Sequence, residues 1–252
     1  MSTPHPPCVR LAWDSQWWRL EVVRVLAPSS SDTDMEALEN WCSEHRVDVA
    51  MALVSIDDTE TLTALTSAGF TVVDERVTLR APIGTSPPTS GGSRARRATS
   101  SDLAHLRAIA ATNHRDSRFY ADAHFPRERC DEMFGQWIEN DLLGRAALVL
   151  VIDVQNEPVG YLSLHYDGEA STASIGLIGV SPHFQRRGLG QELVVAALAW
   201  CEAVGAESIS VVTQGSNHGA LFFYETQGFL VERREKWLHR WWSPTPDRDD
   251  AP

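Results

Sequence analysis

The sequence predicts an α+β protein in two parts, a smaller αβ unit over residues 1–82 and a larger unit over residues 94–242. Three observations predict it. Strand-like and helix-like segments alternate through both parts. A run without charge, Ile-Gly-Thr-Ser-Pro-Pro-Thr-Ser-Gly-Gly-Ser at residues 83–93, has the composition of an interdomain linker. In the larger part, a strand passes through a glycine-rich turn directly into a long amphipathic helix.

In the first unit, a start rich in tryptophan (Trp13, Trp17, Trp18) precedes a strand at Leu20–Leu26 and a helix at Asp34–His45. An apolar strand (Val47–Val54), a helix (Thr59–Ala68) and a strand (Thr71–Leu79) complete it. This alternation is too short to bury a large core alone. The second unit opens with a short strand, and Thr99-Ser100-Ser101-Asp102 supplies capping groups for a helix carrying Leu103, Leu106 and Ile109. A polar and aromatic loop (Asn113–Phe125) leads to a helix at Arg127–Asn140, then to strands at Leu148–Asp153, Val159–Tyr166 and Thr172–Val180. The helix Leu189–Val204 carries Leu189, Leu193, Ala197 and Cys201 at four-residue spacing, which makes one apolar face. A strand (Ser208–Thr213), a helix (Asn217–Thr226) and a strand from Phe229 follow, with a polar tail at 243–252 expected to be disordered.

The two parts share a faint repeat. Gly69-Phe70-Thr71-Val72 and Gly228-Phe229-Leu230-Val231 each follow a helix and open a strand. Two readings stay open: ordinary helix-ending punctuation, or a first unit that is a degenerate copy of the second unit's closing half.

Composition narrows the chemistry. With 43% hydrophobic residues the 252-residue chain can bury a real core, and a formal charge of −12 argues against a nucleic-acid surface. The four cysteines (Cys8, Cys42, Cys130, Cys201) are far apart and fit reduced thiols in a cytoplasmic protein. No signal peptide is legible at the start, and the best apolar run, Ala146–Ile152, is too short for a bilayer. The histidines lack metal-ligand spacing, so no metal is expected.

The segment that carries chemistry runs Gly176-Leu177-Ile178-Gly179-Val180-Ser181-Pro182-His183-Phe184-Gln185-Arg186-Arg187-Gly188-Leu189-Gly190. Glycines admit a close backbone approach, successive amide N–H groups point at an anion, and the helix dipole favours it, so the turn suits a pyrophosphate. It is neither a dinucleotide fingerprint nor a Walker loop. The order strand, Val-Ser-Pro, Gln-x-x-Gly-x-Gly, helix resembles motif A of the GNAT acetyltransferases. Asn217-His218-Gly219-Ala220-Leu221-Phe222-Phe223-Tyr224, ending at Gly228-Phe229, resembles their motif B.

That resemblance implies a mixed, mostly antiparallel sheet flanked by helices, with acetyl-CoA as co-substrate. It implies that Ile178, Gly179 and Val180 pair with the pantetheine amides like an added strand. Near Val180 a backbone N–H polarises the thioester carbonyl. Gln185, Arg186, Arg187, Gly188, Leu189 and Gly190 hold the pyrophosphate, Asn217 and Phe223 border the pantetheine arm, and Tyr224 protonates the departing thiolate.

A narrower likeness covers nearly the whole chain. Ser117-Arg118-Phe119, Gln136-Trp137-Ile138-Glu139-Asn140, Gly160-Tyr161-Leu162-Ser163-Leu164 and Val211-Val212-Thr213-Gln214-Gly215-Ser216-Asn217 resemble the dTDP-fucosamine acetyltransferases. These N-acetylate a dTDP-linked 4-amino-4,6-dideoxy sugar, and the family implies a homodimer. Arg118 and Tyr120, in the loop between two helices, are the expected acceptor-binding residues. His165, at a strand end, is a candidate for the acceptor side and for the general base, beside a water relay. The Ser117–Pro126 loop departs from the family pattern after its start, which leaves the sugar open. Another amine acceptor, or a non-catalytic acyl-CoA-binding regulator, remains an alternative; Tyr224 speaks against the regulator.

Overall fold

The computed structural model describes residues 7–84 and 93–242. They fall into two compact units, one running to Arg76 and resuming at Arg234, the other spanning Val77–Arg233.

The first unit contains β1 (Cys8–Arg10), α1 (Ala12–Trp18), β2 (Val22–Val25), α2 (Asp32–Glu44), β3 (Val49–Ser55), α3 (Thr59–Ser67) and the start of β4 (Thr71–Pro82). The tryptophans at its start form helix α1, where Trp13 and Trp17 stack one turn apart at 5.4 Å. Within it, β1 and β2 are antiparallel, β2 and β3 parallel, and β3 pairs antiparallel with the last strand from Glu235↔Ser55 to Trp241↔Val49. Val23, Ala50, Ala52, Leu38, Leu65, Phe70 and Leu238 are buried together in its core.

The second unit takes in the rest of β4, then β5 (Arg96–Arg97), α4 (Leu103–Thr112), α5 (Arg118–Ala121) and α6 (Arg127–Asn140). It continues with β6 (Leu148–Val154), β7 (Glu157–Asp167), β8 (Thr172–Val180), α7 (Leu189–Ala203), β9 (Ser208–Gln214), α8 (His218–Thr226) and the start of β10 (Leu230–Trp241). Its strand order is β4-β9-β8-β7-β6-β5, with β8 and β9 parallel and the β5–β6, β6–β7 and β7–β8 pairs antiparallel. This is the mixed, mostly antiparallel sheet flanked by helices that the sequence predicts. Leu162, Leu164, Ile175, Leu189, Leu193, Ala197 and Val211 belong to one core cluster, so the apolar stripe of α7 is buried there.

The unit boundaries differ from those expected at 82 and 94. They fall inside two strands, because β10 leaves the second unit at Arg233 and pairs with β3 of the first. A scan along the chain cannot see such a return. Of the expected linker only Ile83, Gly84 and Ser93 are among the described residues, and the tail 243–252 lies outside them.

The faint repeat extends to whole elements. β3, α3 and β4 correspond to β9, α8 and β10 at one constant offset, start and end alike. Asp58 caps α3 by accepting from Thr61 N–H, and Asn217 caps α8 by accepting from Ala220 N–H, each at 3.0 Å. Gly69 and Gly228 both adopt a φ of 87°, the left-handed helix stop that favours glycine. The ion pairs Arg76–Glu235 and Arg234–Glu75 exchange equivalent positions, each spanning 159 residues.

The start of α4 carries a charged clamp. Asp102 is buried, accepts from Thr99 N–H at 2.7 Å, and receives both terminal nitrogens of Arg96 at 2.9 Å. The Arg96 guanidinium, more than the Thr99 bonds, pulls the carboxyl pKa down to about 2. A carboxyl depressed in the fold contributes stability that is present above its unfolded value and lost as pH falls through that value towards 2. Urea midpoints of wild type and Asp102→Asn should therefore differ at pH 6 and converge near pH 2; a constant gap across that window would exclude this source of acid lability.

Candidate active site

β8 and β9 pair from Thr172↔Ser208 to Ile175↔Val211 and then part. The parting coincides with an irregularity on the other edge of β8, where the β7–β8 register shifts between Leu162↔Ile178 and Leu164↔Ile175. There Leu177 N–H donates to Ser163 Oγ at 2.9 Å instead of to a ladder carbonyl. Beyond it the register is Leu162↔Ile178, Tyr161↔Gly179 and Gly160↔Val180. Ser181 N–H donates to Val159 O at 2.7 Å, so alternation along an antiparallel ladder turns the backbone groups of Val180 and Ile178 away from β7. They face the edge that β9 has left. Gly179 spends its backbone groups on Tyr161, so of the three residues expected to meet a pantetheine arm, Ile178 and Val180 turn their N–H groups to the open edge. The Val180 carbonyl accepts from Gln185 Nε2 at 3.1 Å, which folds the following loop back over the strand end.

That loop is shaped for an anion. Gln185, Arg186, Arg187 and Gly188 are exposed, and Leu189 opens α7. Arg186 has φ 59° and Gly188 φ 80°, a left-handed pair around Arg187 that turns successive N–H groups inward. Among the described residues, no backbone hydrogen bond takes up the N–H groups of Gln185 to Gly190. A Cβ on Gly188 would meet nothing within 4 Å, and one on Gly190 would lie 3.6 Å from the Phe223 ring.

α8 supplies the third wall. Asn217 Oδ1 serves as its cap. Tyr224 is 3% exposed and belongs to the core cluster that includes Ile175 and Val211, the last paired residues before the strands part. Its ring lies 5.1 Å from Phe223 and 5.5 Å from Phe229. Burial pushes its phenol well above the ordinary value of 10, so it carries its proton at every physiological pH.

The face of β7 towards α4 and α6 is polar. Tyr161 OH lies 3.0 Å from His114 Nε2, and His114 stacks on Phe134 at 4.9 Å. Burial, with Asp141 adding to it, raises the Tyr161 phenol, while burial lowers the His114 imidazole to about 4. Both groups are thus neutral, and the His114 tautomer sets which of them donates. Two rungs past Ser163, His165 Nε2 lies 3.6 Å from Oδ1 of Asp141, which is 3% exposed and sits in a π-helical turn (Asp141–Arg145) after α6. Tyr120 donates to Asp131 of α6 and stacks over Phe134 at 6.2 Å, and the Arg118 guanidinium covers the Phe119 ring at 4.3 Å. His114, Tyr161 and Asp141 were not expected from the sequence. Asp141 had one signal there: it extends the buried stripe Cys130, Phe134, Ile138 of α6 by one turn.

Residues 106–229 match the Acetyltransferase (GNAT) family. The chain is 30% identical over 234 residues to dTDP-fucosamine acetyltransferase of Escherichia coli, covering 91% of this chain and 96% of that protein. The chain belongs to the GNAT acetyltransferase family. Spore coat polysaccharide biosynthesis protein SpsD of Bacillus subtilis is 31% identical over 126 residues, 50% of this chain and 43% of that protein. A GCN5-related N-acetyltransferase from Sphaerobacter thermophilus shares the fold, with TM-score 0.63, 17% identity, and coverage of 90% of this chain and 74% of that one. The chain is therefore an acyl-CoA-dependent N-acetyltransferase.

GNAT enzymes use acetyl-CoA, and the residues present fit it: strand-edge N–H groups for amides, an open N–H nest for a diphosphate and a buried phenol in the same core cluster as Ile175 and Val211. No cluster of metal-ligating side chains occurs, and no helix is long and apolar enough to cross a membrane, among the described residues.

Proposed function

We propose that this GNAT enzyme N-acetylates the amino group of a nucleotide-linked amino sugar, a dTDP-linked 4-amino-4,6-dideoxy sugar being the first choice. The observation that carries it is the likeness to dTDP-fucosamine acetyltransferase over 96% of that protein's length, which takes in both units. Ile178 and Val180 offer backbone N–H groups on the free edge of β8, and one of them polarises the thioester carbonyl. Gln185 to Gly190 hold the diphosphate, with Arg186 and Arg187 adding charge at the rim. Asn217 and Phe223 border the pantetheine arm. The amine attacks the carbonyl carbon, the C–S bond breaks, and Tyr224 gives its proton to sulfur. Arg118 and Tyr120 belong to the acceptor side in this reading; Tyr120 would offer its ring, since its hydroxyl is held by Asp131. The reaction draws on acetyl-CoA and would take place in the cytoplasm.

A panel of amines tests the acceptor: dTDP-4-amino-4,6-dideoxygalactose, the free amino sugar, a dipeptide and a polyamine, each with acetyl-CoA and a thiol-release readout. The nucleotide sugar should give a kcat/KM at least about 100-fold above the free sugar, as expected when remote binding groups raise reactivity. Equal rates on the two would remove the nucleotide from the proposal.

A further inference from the structure

Before the amine can attack, it must lose the proton it carries at neutral pH, and the roles above assign no group to that task. His114 is ill placed for it, because its Nε2 is already tied to Tyr161 OH at 3.0 Å. Asp141 and His165 are different. Asp141 Oδ1 is buried and accepts no hydrogen bond; His165 Nε2 at 3.6 Å and Arg145 Nε at 3.8 Å are both beyond hydrogen-bond length. A buried carboxylate oxygen left this way is costly unless a donor completes it.

The imidazole is reachable. The His165 side chain is 30% exposed and borders a groove of about 330 Å³ lined by Ser174, Ser210, Arg80 and Asp167. It also lies against β8 at a position without a side chain: a Cβ on Gly176 would sit 2.5 Å from Nε2 and 2.9 Å from Ser163 Oγ. Gly176 is two residues before Ile178, roughly 7 Å along a strand. The imidazole therefore stands one step from the free N–H of Ile178.

We infer that Asp141 Oδ1 and His165 Nε2 form the seat for the acceptor's ammonium group, with His165 as the general base and Asp141 as its positioning carboxylate. This rests on the acetyltransfer reading but not on the identity of the acceptor. Two acceptor atoms 3.6 Å apart suit one R–NH3+ that donates to both. One proton passes to His165 Nε2 and on to water, and the imidazolium is held meanwhile by Asp141. The freed lone pair forms the C–N bond at the thioester carbonyl carbon, polarised by a backbone N–H of β8. The second proton leaves nitrogen as C–S breaks and replaces the one that Tyr224 gives to sulfur. The charged and titratable groups around the imidazole are Asp141 and Arg145 from the π-helical turn, Tyr161 on β7 itself, and Arg80 and Asp167 at the groove.

The test uses the full chain saturated with acetyl-CoA and two probes, the best alkylamine of the panel and hydroxylamine, which is largely uncharged at pH 7. With the alkylamine, His165→Gln should lower kcat/KM by about 100-fold, and Asp141→Asn should raise the acceptor KM more than it lowers kcat. With hydroxylamine both variants should stay within about threefold of wild type, because no proton has to be removed first. Equal losses on both probes, or none on the alkylamine, overturn the inference. A readout without turnover keeps it decidable. At about 100 mM, ammonium but not tetramethylammonium should shift the ring nitrogen resonance of His165 in wild type and leave Asp141→Asn unmoved, a weak-affinity regime. No shift in wild type overturns the seat. If the nucleotide sugar fails while another alkylamine shows the pattern, only the acceptor proposed above falls.

Discussion

Tyr224→Phe should lower kcat by about 10- to 1,000-fold while leaving acetyl-CoA affinity and folding nearly unchanged, in keeping with loss of one general acid. The substitution removes one oxygen and keeps the ring that packs against Phe223 and Phe229. No hydrogen bond from that hydroxyl occurs among the described residues, so its removal strands no partner. Burial holds the phenol protonated well beyond its ordinary range, so the proton is present whenever the thiolate forms. A thiol has a pKa of roughly 8.5, so CoA is a tolerable leaving group and the lower end of the range applies if C–S cleavage is easy. The pH profile adds a sign: a phenol raised above 10 stays an acid at pH 9, so any alkaline fall in activity below that pH belongs to another group. A kcat within about twofold of wild type, with chemistry shown to limit turnover, would reduce Tyr224 to a packing residue.

What was legible in the sequence followed from local patterns. Gln185 to Gly190 announce a close-approach turn because glycine and a helix start have local signatures, and Asn217 announces a cap three residues before the N–H it accepts. Tyr224 is singled out by its place in the motif, and the fold buries it. His114, Asp141 and Tyr161 were not legible, because with His165 they come from three separate segments that meet only in the fold. The irregularity opposite Ser163 decides that Ile178 and Val180, rather than Gly179, face the open edge, and a register shift of one residue has no mark in composition. Asp141 could have been noticed as a carboxylate that continues the apolar stripe of α6 into the following turn. Arg118 and Tyr120 lie on α5 between α4 and α6, and their side chains have partners in the fold, Phe119 and Asp131. The repeat was half legible: Gly69-Phe70 and Gly228-Phe229 are visible, while the matching ion pairs at Glu75, Arg76, Arg234 and Glu235 need the pairing of distant strands.

Gly190→Glu should abolish measurable acetyl-CoA binding, a loss of about 100-fold or more, without weakening the fold. Gly188 is the less useful glycine to change: its φ of 80° strains any other residue, so lost binding there would be confounded with a distorted loop. Gly190 has no such constraint. It lies in the first turn of α7, and a Cβ would sit 3.6 Å from the Phe223 ring, an ordinary contact. Replacing a helical glycine removes about 0.5–1 kcal/mol of entropic penalty, and a carboxylate near a helix N-terminus interacts favourably with the dipole. Stability should thus hold or rise. Binding should move the other way, because the new carboxylate competes for the N–H groups and repels the diphosphate. Forfeiting even two charge-assisted hydrogen bonds at about 1.5–3 kcal/mol each amounts to 100-fold or more. Gly190→Ala separates bulk from charge, and it should keep the stability gain with a smaller loss of affinity. Calorimetry alongside thermal unfolding makes the comparison. An unchanged Kd in Gly190→Glu would place the diphosphate elsewhere and remove Gln185 to Gly190 from the cofactor site.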